Sequence, residues 1–222
     1  MAKRFLVLGD SLTFGRPSHQ IYSEDTWPGL IEAAGHRVFH RGRGSSDSTA
    51  VLAEVTHLHA YMIGNINDMG KPFDICLIQV GIVDCTPRLC SRRLCGIFRL
   101  FPGGSRMAAR LSRVGSLVQL IGSPWVSLVK FEQNVFSIFE VSSQLATKVV
   151  FIEIAKPARN LINNCGDFSL VVERYNKVLK KLRNNFLPVY SNIEVAGLFL
   201  PDGHHLTKDG HQHIAKRILS HL

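Results

Sequence analysis

The sequence predicts an α/β fold, a three-layer α/β/α sandwich around a parallel sheet of about five strands. Two observations carry that expectation. Short, nearly uninterrupted apolar runs recur along the chain, as in strands buried on both faces. Stretches with apolar residues at helical spacing separate them, and no Asn-Gly hairpin signal joins one run to the next. Strands joined through helices pair in parallel by right-handed crossovers.

The first run, 5–8 (Phe-Leu-Val-Leu), is a strand that stops at Gly9-Asp10-Ser11. After a loop over 17–24, Asp25-Thr26 can cap a helix with Pro28 in its first turn, ending at about Ala34. A short second strand, 36–40, leads into the polar loop 41–48. The helix after it puts Val51, Val55, Leu58 and Met62 on its core face. Residues 73–80 form a third strand ending at Gly81. From 84 to about 131 the pattern breaks at Pro102-Gly103-Gly104 and again at Gly122-Ser123-Pro124. Between these breaks a helix carries Arg106, Arg110 and Arg113 on one side and Met107, Leu111, Val114 and Val118 on another. A helix over 132–146 and a fourth strand over 148–155 follow. Asp167 or Ser169 can cap the next helix, with Val171, Tyr175, Val178 and Leu182 inward. A fifth, poorer strand spans 189–195, and Thr207 caps a last helix with Ile214, Ile218 and Leu222 inward.

Composition narrows the class. An apolar content of 45% over 222 residues suits a soluble globular protein with one core, so the expected organisation is a single domain, 1–222. The run at 5–8 is too short for a secretory signal. Five cysteines, an odd number, do not make a disulfide framework, and a cytoplasmic location is the economical expectation. The net charge of +9 is local. Eight of the 26 Lys and Arg residues lie between 85 and 131 (Arg88, Arg92, Arg93, Arg99, Arg106, Arg110, Arg113, Lys130), with no Asp or Glu among them. The segment reads as a basic, lid-like insertion that is simply solvated, docks on an anionic membrane surface, or grips an acidic substrate. Without a recognised motif beside the charge, no nucleic-acid partner is expected. The uncharged stretch 114–129 contains Gly115, Gly122 and Pro124 and is shorter than the roughly 20 residues of a spanning helix.

Two distant stretches carry chemistry. Ser11 lies just past the carboxyl end of the first strand, where open α/β sheets bind ligands. Asp202 and His205, three residues apart, precede the last helix. A serine hydroxyl attacks a carbonyl only when a base takes its proton, imidazole is suited to that task, and a carboxylate fixes the ring's tautomer. His204 is the neighbour that could be confused with His205; the Asp-x-x-His spacing favours His205 and leaves His204 facing solvent. Cys85, Cys90 and Cys95 recur every five residues, but zinc sites pair cysteines more closely and in two clusters, so no metal or other cofactor is expected.

With these residues in view, the chain resembles the SGNH hydrolases, or GDSL esterase/lipase family, whose fold is flavodoxin-like. Four motifs spread between Leu6 and His211 carry the resemblance: Gly9-Asp10-Ser11-Leu12, a glycine after strand two best placed at Gly44, Gly81-x-x-Asp84, and Asp202-x-x-His205. The resemblance implies catalysis by Ser11, His205 and Asp202. It also implies an oxyanion hole from the backbone N–H groups of Ser11 and Gly44, joined by a side-chain amide in Gly-x-Asn-Asp. Here Val83 stands in that asparagine's place and has no donor to give. Arg88 is a candidate substitute or substrate-anion clamp, and Asp10 and Asp84 join it among the expected substrate-binding residues. The implied activity is serine esterase action on an O-acyl ester, O-acetyl first, of a small molecule or carbohydrate. The alternatives are acyl transfer from the same site, or a non-catalytic binding module that kept the fold.

Overall fold

The computed structural model describes residues 1–89, 118, 120–191, 193 and 195–221. Its main sheet has five parallel strands: β1 (Arg4–Gly9), β2 (Arg37–His40), β3 (Phe73–Gln79), β6 (Ala146–Ile152) and β7 (Phe186–Leu187). Two two-residue strands, β4 (Pro87–Arg88) and β5 (Ser123–Pro124), pair antiparallel outside it. The main order is β2-β1-β3-β6-β7. The chain therefore steps from β1 to one side, then crosses back to lay β3 on the other. That reversal opens a crevice at the carboxyl ends of β1 and β3. Register is fixed by pairs such as Val7 with His40 and Gly9 with Gln79.

Alternation along the strands divides the core in two. Phe5 and Val7 face a cluster with Trp27, Ile31, Ile214 and Ile218, contributed by α1 (Trp27–Ala33) and the C-terminal helix Lys208–His221. Leu6 and Leu8 face the opposite cluster with Val55, Phe131, Val135 and Tyr175. Those residues come from α2 (Ser48–Met69), α4 (Leu128–Leu145) and α6 (Ser169–Lys180). The short α3 (Ile82–Cys85) follows β3, α5 (Arg159–Cys165) follows β6, and the C-terminal helix is α7. The predicted three layers are thus present, with β1 buried on both faces.

Several boundaries move for identifiable reasons. Thr26 caps α1 by accepting from the Gly29 N–H. The fourth main-sheet strand starts two residues earlier than the sequence suggests and ends at Ile152. The described residues of 189–195, expected as the fifth strand, form none: the edge strand is Phe186–Leu187, because Pro188 has no N–H for a ladder. Past it, the Tyr190 N–H donates to the Glu153 carboxylate at 2.8 Å. On α6 Tyr175 and Val178 are buried as expected, as is Leu182 just past the helix; Val172, Asn176 and Leu179 join them, and Val171 is only partly buried. Asn176 was not expected inside; it exchanges two hydrogen bonds with the Ile154 backbone (2.9 and 2.8 Å) and so extends the pairing beyond β6. Thr207 caps α7, accepting from the Gly210 N–H at 3.1 Å. Leu222 and most of the basic segment, including Cys90, Arg92, Arg93, Cys95, Arg99, Arg106, Met107, Arg110, Leu111, Arg113 and Val114, lie outside the described residues. Among the described residues no helix is long and apolar enough to cross a membrane.

Candidate active site at the carboxyl ends of β1 and β3

Ser11 opens a 3-10 turn, Ser11–Thr13, directly after β1. Asp10 builds that turn: its carboxylate accepts from the Leu12 N–H at 2.9 Å, and its carbonyl accepts from Thr13 N (3.2 Å) and Oγ1 (2.9 Å). Gly9 has to be glycine, since a Cβ would sit 2.7 Å from both the Gln79 carbonyl and the Thr13 methyl. The turn therefore presents the Ser11 side chain at the rim while its own backbone is fixed from below.

The second stretch is held as firmly. The loop before α7 folds on itself through Leu200 N to the His205 carbonyl (2.7 Å), Gly203 N to the Leu200 carbonyl (2.8 Å) and Thr207 N to the Leu198 carbonyl (3.0 Å). Gly203 takes a left-handed φ of +79° there, which favours glycine. Helix α7 docks on α1 with an ion pair from Lys208 to Asp25 (3.0 Å) and a bond from Trp27 N to His211 Nδ1 (3.2 Å). Burial lowers the His211 pKa to about 4, so it remains the neutral acceptor that this bond needs.

These two loops meet. His205 Nε2 lies 3.1 Å from Ser11 Oγ, and His205 Nδ1 lies 2.6 Å from Asp202 Oδ2. The other Asp202 oxygen accepts from the backbone N–H groups of His204 (3.1 Å) and His205 (2.9 Å). Burial opposes the charged form of Asp202, but the hydrogen bonds from His205 and His204 outweigh it and hold the carboxyl at about 2. Burial is also the main influence on His205; with His204 and Arg16 it overcomes the pull of Asp202 and lowers the ring to about 4. The ring is thus neutral near neutral pH. With Nδ1–H donated to the carboxylate, Nε2 is left as an acceptor for the serine proton. His204 is half-exposed, its ring centroid 4.0 Å from that of His205. Asp202, His204 and His205 bring one ligand atom each within 4.8 Å of one another, a set that could gather round a metal ion. Doing so would cost the Asp202–His205 bond.

The remaining expected residues are placed differently. Asp10 and Asp84 are buried completely and bond within the protein, so neither presents a carboxylate to a substrate. Asp84 accepts from Ser48 N (2.9 and 3.1 Å) and Ser48 Oγ (2.5 Å), and Asn134 Nδ2 donates to Ser48 Oγ at 2.9 Å. This network ties the start of α2 to α3 and α4. Val83 is buried on α3 and adds no donor. Gly81 ahead of it has a φ of +122°, and a Cβ there would lie 2.3 Å from the Ile154 side chain. In the loop after β2 it is Gly42 and Arg43 that press on β1, with Arg43 N donating to the Gly9 carbonyl at 3.0 Å. A Cβ on Gly44 would meet nothing within 4 Å. Arg88, on β4, rests its guanidinium 3.8 Å over the Trp125 ring. Cys85 is free and buried. The cation at the Ser11–His205 contact is Arg16, which sequence reasoning passed over: one guanidinium N–H group touches His205 Nε2. Only its position five residues after Ser11 could have drawn notice. A cleft of about 450 Å³ between β6 and α6, walled by Glu153, Asn176, Lys177, Lys180 and Tyr190, contains none of Ser11, Asp202 or His205.

Burial pushes the Asp10 carboxyl up to about 7 and that of Asp84 up to about 6. An acid whose folded pKa is raised contributes stability below its unfolded value and loses it as pH climbs through the folded one. Asp10→Asn removes the first of these costs while its amide oxygen can still accept from Leu12. Its unfolding free energy relative to the parent is therefore expected to improve as pH rises from about 4 to about 8. Urea titrations at several pH values measure this; a difference independent of pH would contradict it.

No family model matches the chain, and no curated protein matches it. Among solved structures, the lipase/acylhydrolase from Enterococcus faecalis superposes with a TM-score of 0.62 at 14% identity, covering 99% of this chain and 94% of that one. A member of the lipolytic protein G-D-S-L family from Veillonella parvula gives a TM-score of 0.59 at 13% identity, with 99% and 97% covered. A single-substitution variant of Axe2, an acetyl xylan esterase from Geobacillus stearothermophilus, gives 0.56 at 17% identity, with 99% and 94% covered. Over its whole length the chain thus carries the α/β fold of the G-D-S-L lipolytic proteins and esterases.

Proposed function

We propose that this protein is a serine esterase that hydrolyses an O-acyl ester, with the O-acetyl ester of a carbohydrate as the leading substrate. The observation that carries the reading is the continuous contact from Ser11 Oγ through His205 to Asp202. A chain whose fold is shared with lipolytic proteins and an acetyl xylan esterase adds to it. In this reading Ser11 Oγ attacks the ester carbonyl while His205 Nε2 takes the hydroxyl proton. The tetrahedral adduct collapses, and His205 passes that proton to the departing alcohol oxygen. Water, deprotonated by the same ring, then releases the acid and restores Ser11. Asp202 holds the tautomer and stabilises the imidazolium. The Ser11 and Gly44 N–H groups are the proposed oxyanion donors. The missing donor at Val83 can cost about 2.7–4 kcal/mol of transition-state stabilisation, so a slow enzyme is expected.

Val83 also motivates a rival reading, a binding module without turnover. A fluorophosphonate probe separates the two, because only an activated serine displaces its leaving group. Covalent labelling of the parent, absent in Ser11→Ala, is the expected result. An unlabelled parent that is correctly folded would favour the binding module. Acyl transfer is distinguished by offering p-nitrophenyl acetate with and without a sugar acceptor and following free acetate against acetylated sugar.

A further inference from the structure

The guanidinium of Arg16 lies against His205 Nε2, the atom that also meets Ser11 Oγ. With Nδ1–H committed to Asp202, His205 Nε2 has one lone pair, and two donors converge on it: the Ser11 hydroxyl and an Arg16 N–H. One lone pair accepts one of them well. Arg16 therefore competes with the Ser11 hydroxyl for its base. Arg16 is also short of partners. Its Nε is buried with no hydrogen-bond partner, and no carboxylate pairs with it among the described residues. Its backbone is not free to retreat, since Arg16 N donates to the Ile21 carbonyl at 2.7 Å and Ile21 N returns a bond at 3.1 Å, closing a tight loop. Gly15 fits this loop because a Cβ would lie 2.6 Å from the same Ile21 carbonyl.

We infer that Arg16 is a specificity-determining residue that binds an anionic group, such as a carboxylate or phosphate, on the alcohol portion of the ester. This rests on the esterase reading above. The side is set by chemistry: Nε2 delivers its proton to the leaving oxygen, so a group packed against Nε2 beside Ser11 meets the alcohol and not the acyl chain. A planar guanidinium with unused N–H donors matches a carboxylate or phosphate. An anion seated there draws the cation off Nε2 and returns the lone pair to the Ser11 hydroxyl. Binding of the correct alcohol thereby also frees the base.

The test compares O-acetylated methyl glucuronide with O-acetylated methyl glucoside, with acetylated glucose 6-phosphate as the phosphate arm. The parent is expected to favour one anionic ester at least tenfold in kcat/KM, through a lower KM and a higher kcat. Arg16→Gln is expected to bring that ratio within about threefold of unity, and Arg16→Lys to restore part of it. Removing the cation should also move the acid limb of the p-nitrophenyl acetate pH profile upward, a change that a merely structural arginine would not cause. Calorimetric titration of Ser11→Ala with methyl glucuronide and with glucose 6-phosphate reads the anion site without turnover. Binding of either that disappears in Ser11→Ala/Arg16→Gln supports the inference even if no ester is hydrolysed, in which case the esterase reading alone fails. Equal handling of neutral and anionic esters by the parent, or a preference that survives Arg16→Gln with an unchanged melting temperature, would overturn it.

Discussion

Ser11→Ala is expected to lower kcat/KM for p-nitrophenyl acetate by roughly 10⁴ to 10⁶-fold while leaving the fold in place. The turn that carries Ser11 is held by the Asp10 carboxylate, the Asp10 carbonyl and the Thr13 side chain, none of which needs the Ser11 hydroxyl. The one described side-chain contact of that hydroxyl is with His205. Its removal should therefore change stability by less than about 1 kcal/mol, and a melting curve run beside the assay separates lost chemistry from lost structure. His205→Ala should fall into the same range. The double variant should be little worse than either single one, because a nucleophile without its base and a base without its nucleophile are equally idle. Losses that multiplied in the double variant would mean that the two groups act separately, contrary to the relay. A parent and a Ser11→Ala protein with equal rates would remove the esterase proposal.

How much of this could be read in advance depended on how local each cause is. Strand β1 was legible because burial on both faces writes an unbroken apolar run, and α7 because Ile214 and Ile218 recur at helical spacing. The pairing of Asp202 with His205 is a three-residue matter, and it appeared where the spacing placed it. The edge strand is hard to place because two residues beside a proline leave almost no pattern, whereas Val189 and Tyr190 just beyond it are apolar and buried without being a strand. The burial of Asp10 and Asp84 is illegible in the sequence for a different reason. A carboxylate in a sequence looks like a surface or ligand group, and only the fold reveals that Leu12, Ser48 and the strand ends enclose them. Arg16 had no periodicity or motif to mark it; its meaning comes from a ring 189 positions away. Contacts at that separation are set by the strand order, which a single chain's pattern does not specify.

Asp202→Asn should cost about 10⁴-fold in kcat at about pH 7, and the loop's own hydrogen bonds explain why the loss should be so large. Asp202 Oδ1 accepts from two backbone N–H groups, those of His204 and His205, while Oδ2 faces His205 Nδ1. An asparagine keeps the two backbone bonds only by leaving its oxygen in the Oδ1 place. Its NH₂ then points at Nδ1 and must donate to it. That forces the proton onto Nε2, which can no longer accept from Ser11. The loop stays folded and the ring stays in place, yet it carries the wrong tautomer. The pH profile distinguishes this from simple protonation. In the parent, His205 titrates at about 4, so activity requires the neutral ring and should fall only as pH drops through that value. Because Asp202 favours the imidazolium, its loss lowers the ring's affinity for a proton still further, so protonation cannot account for a deficit at neutral pH. Measured between about pH 4 and 9, the variant should therefore show a depressed plateau and no upward shift of its acid limb. A limb moved toward neutrality, with a normal rate above it, would mean that Asp202 does not set the tautomer. Asp202→Ala makes the contrast: without an oxygen for the His204 and His205 N–H groups, the loop itself should loosen, and the melting temperature should fall along with the rate.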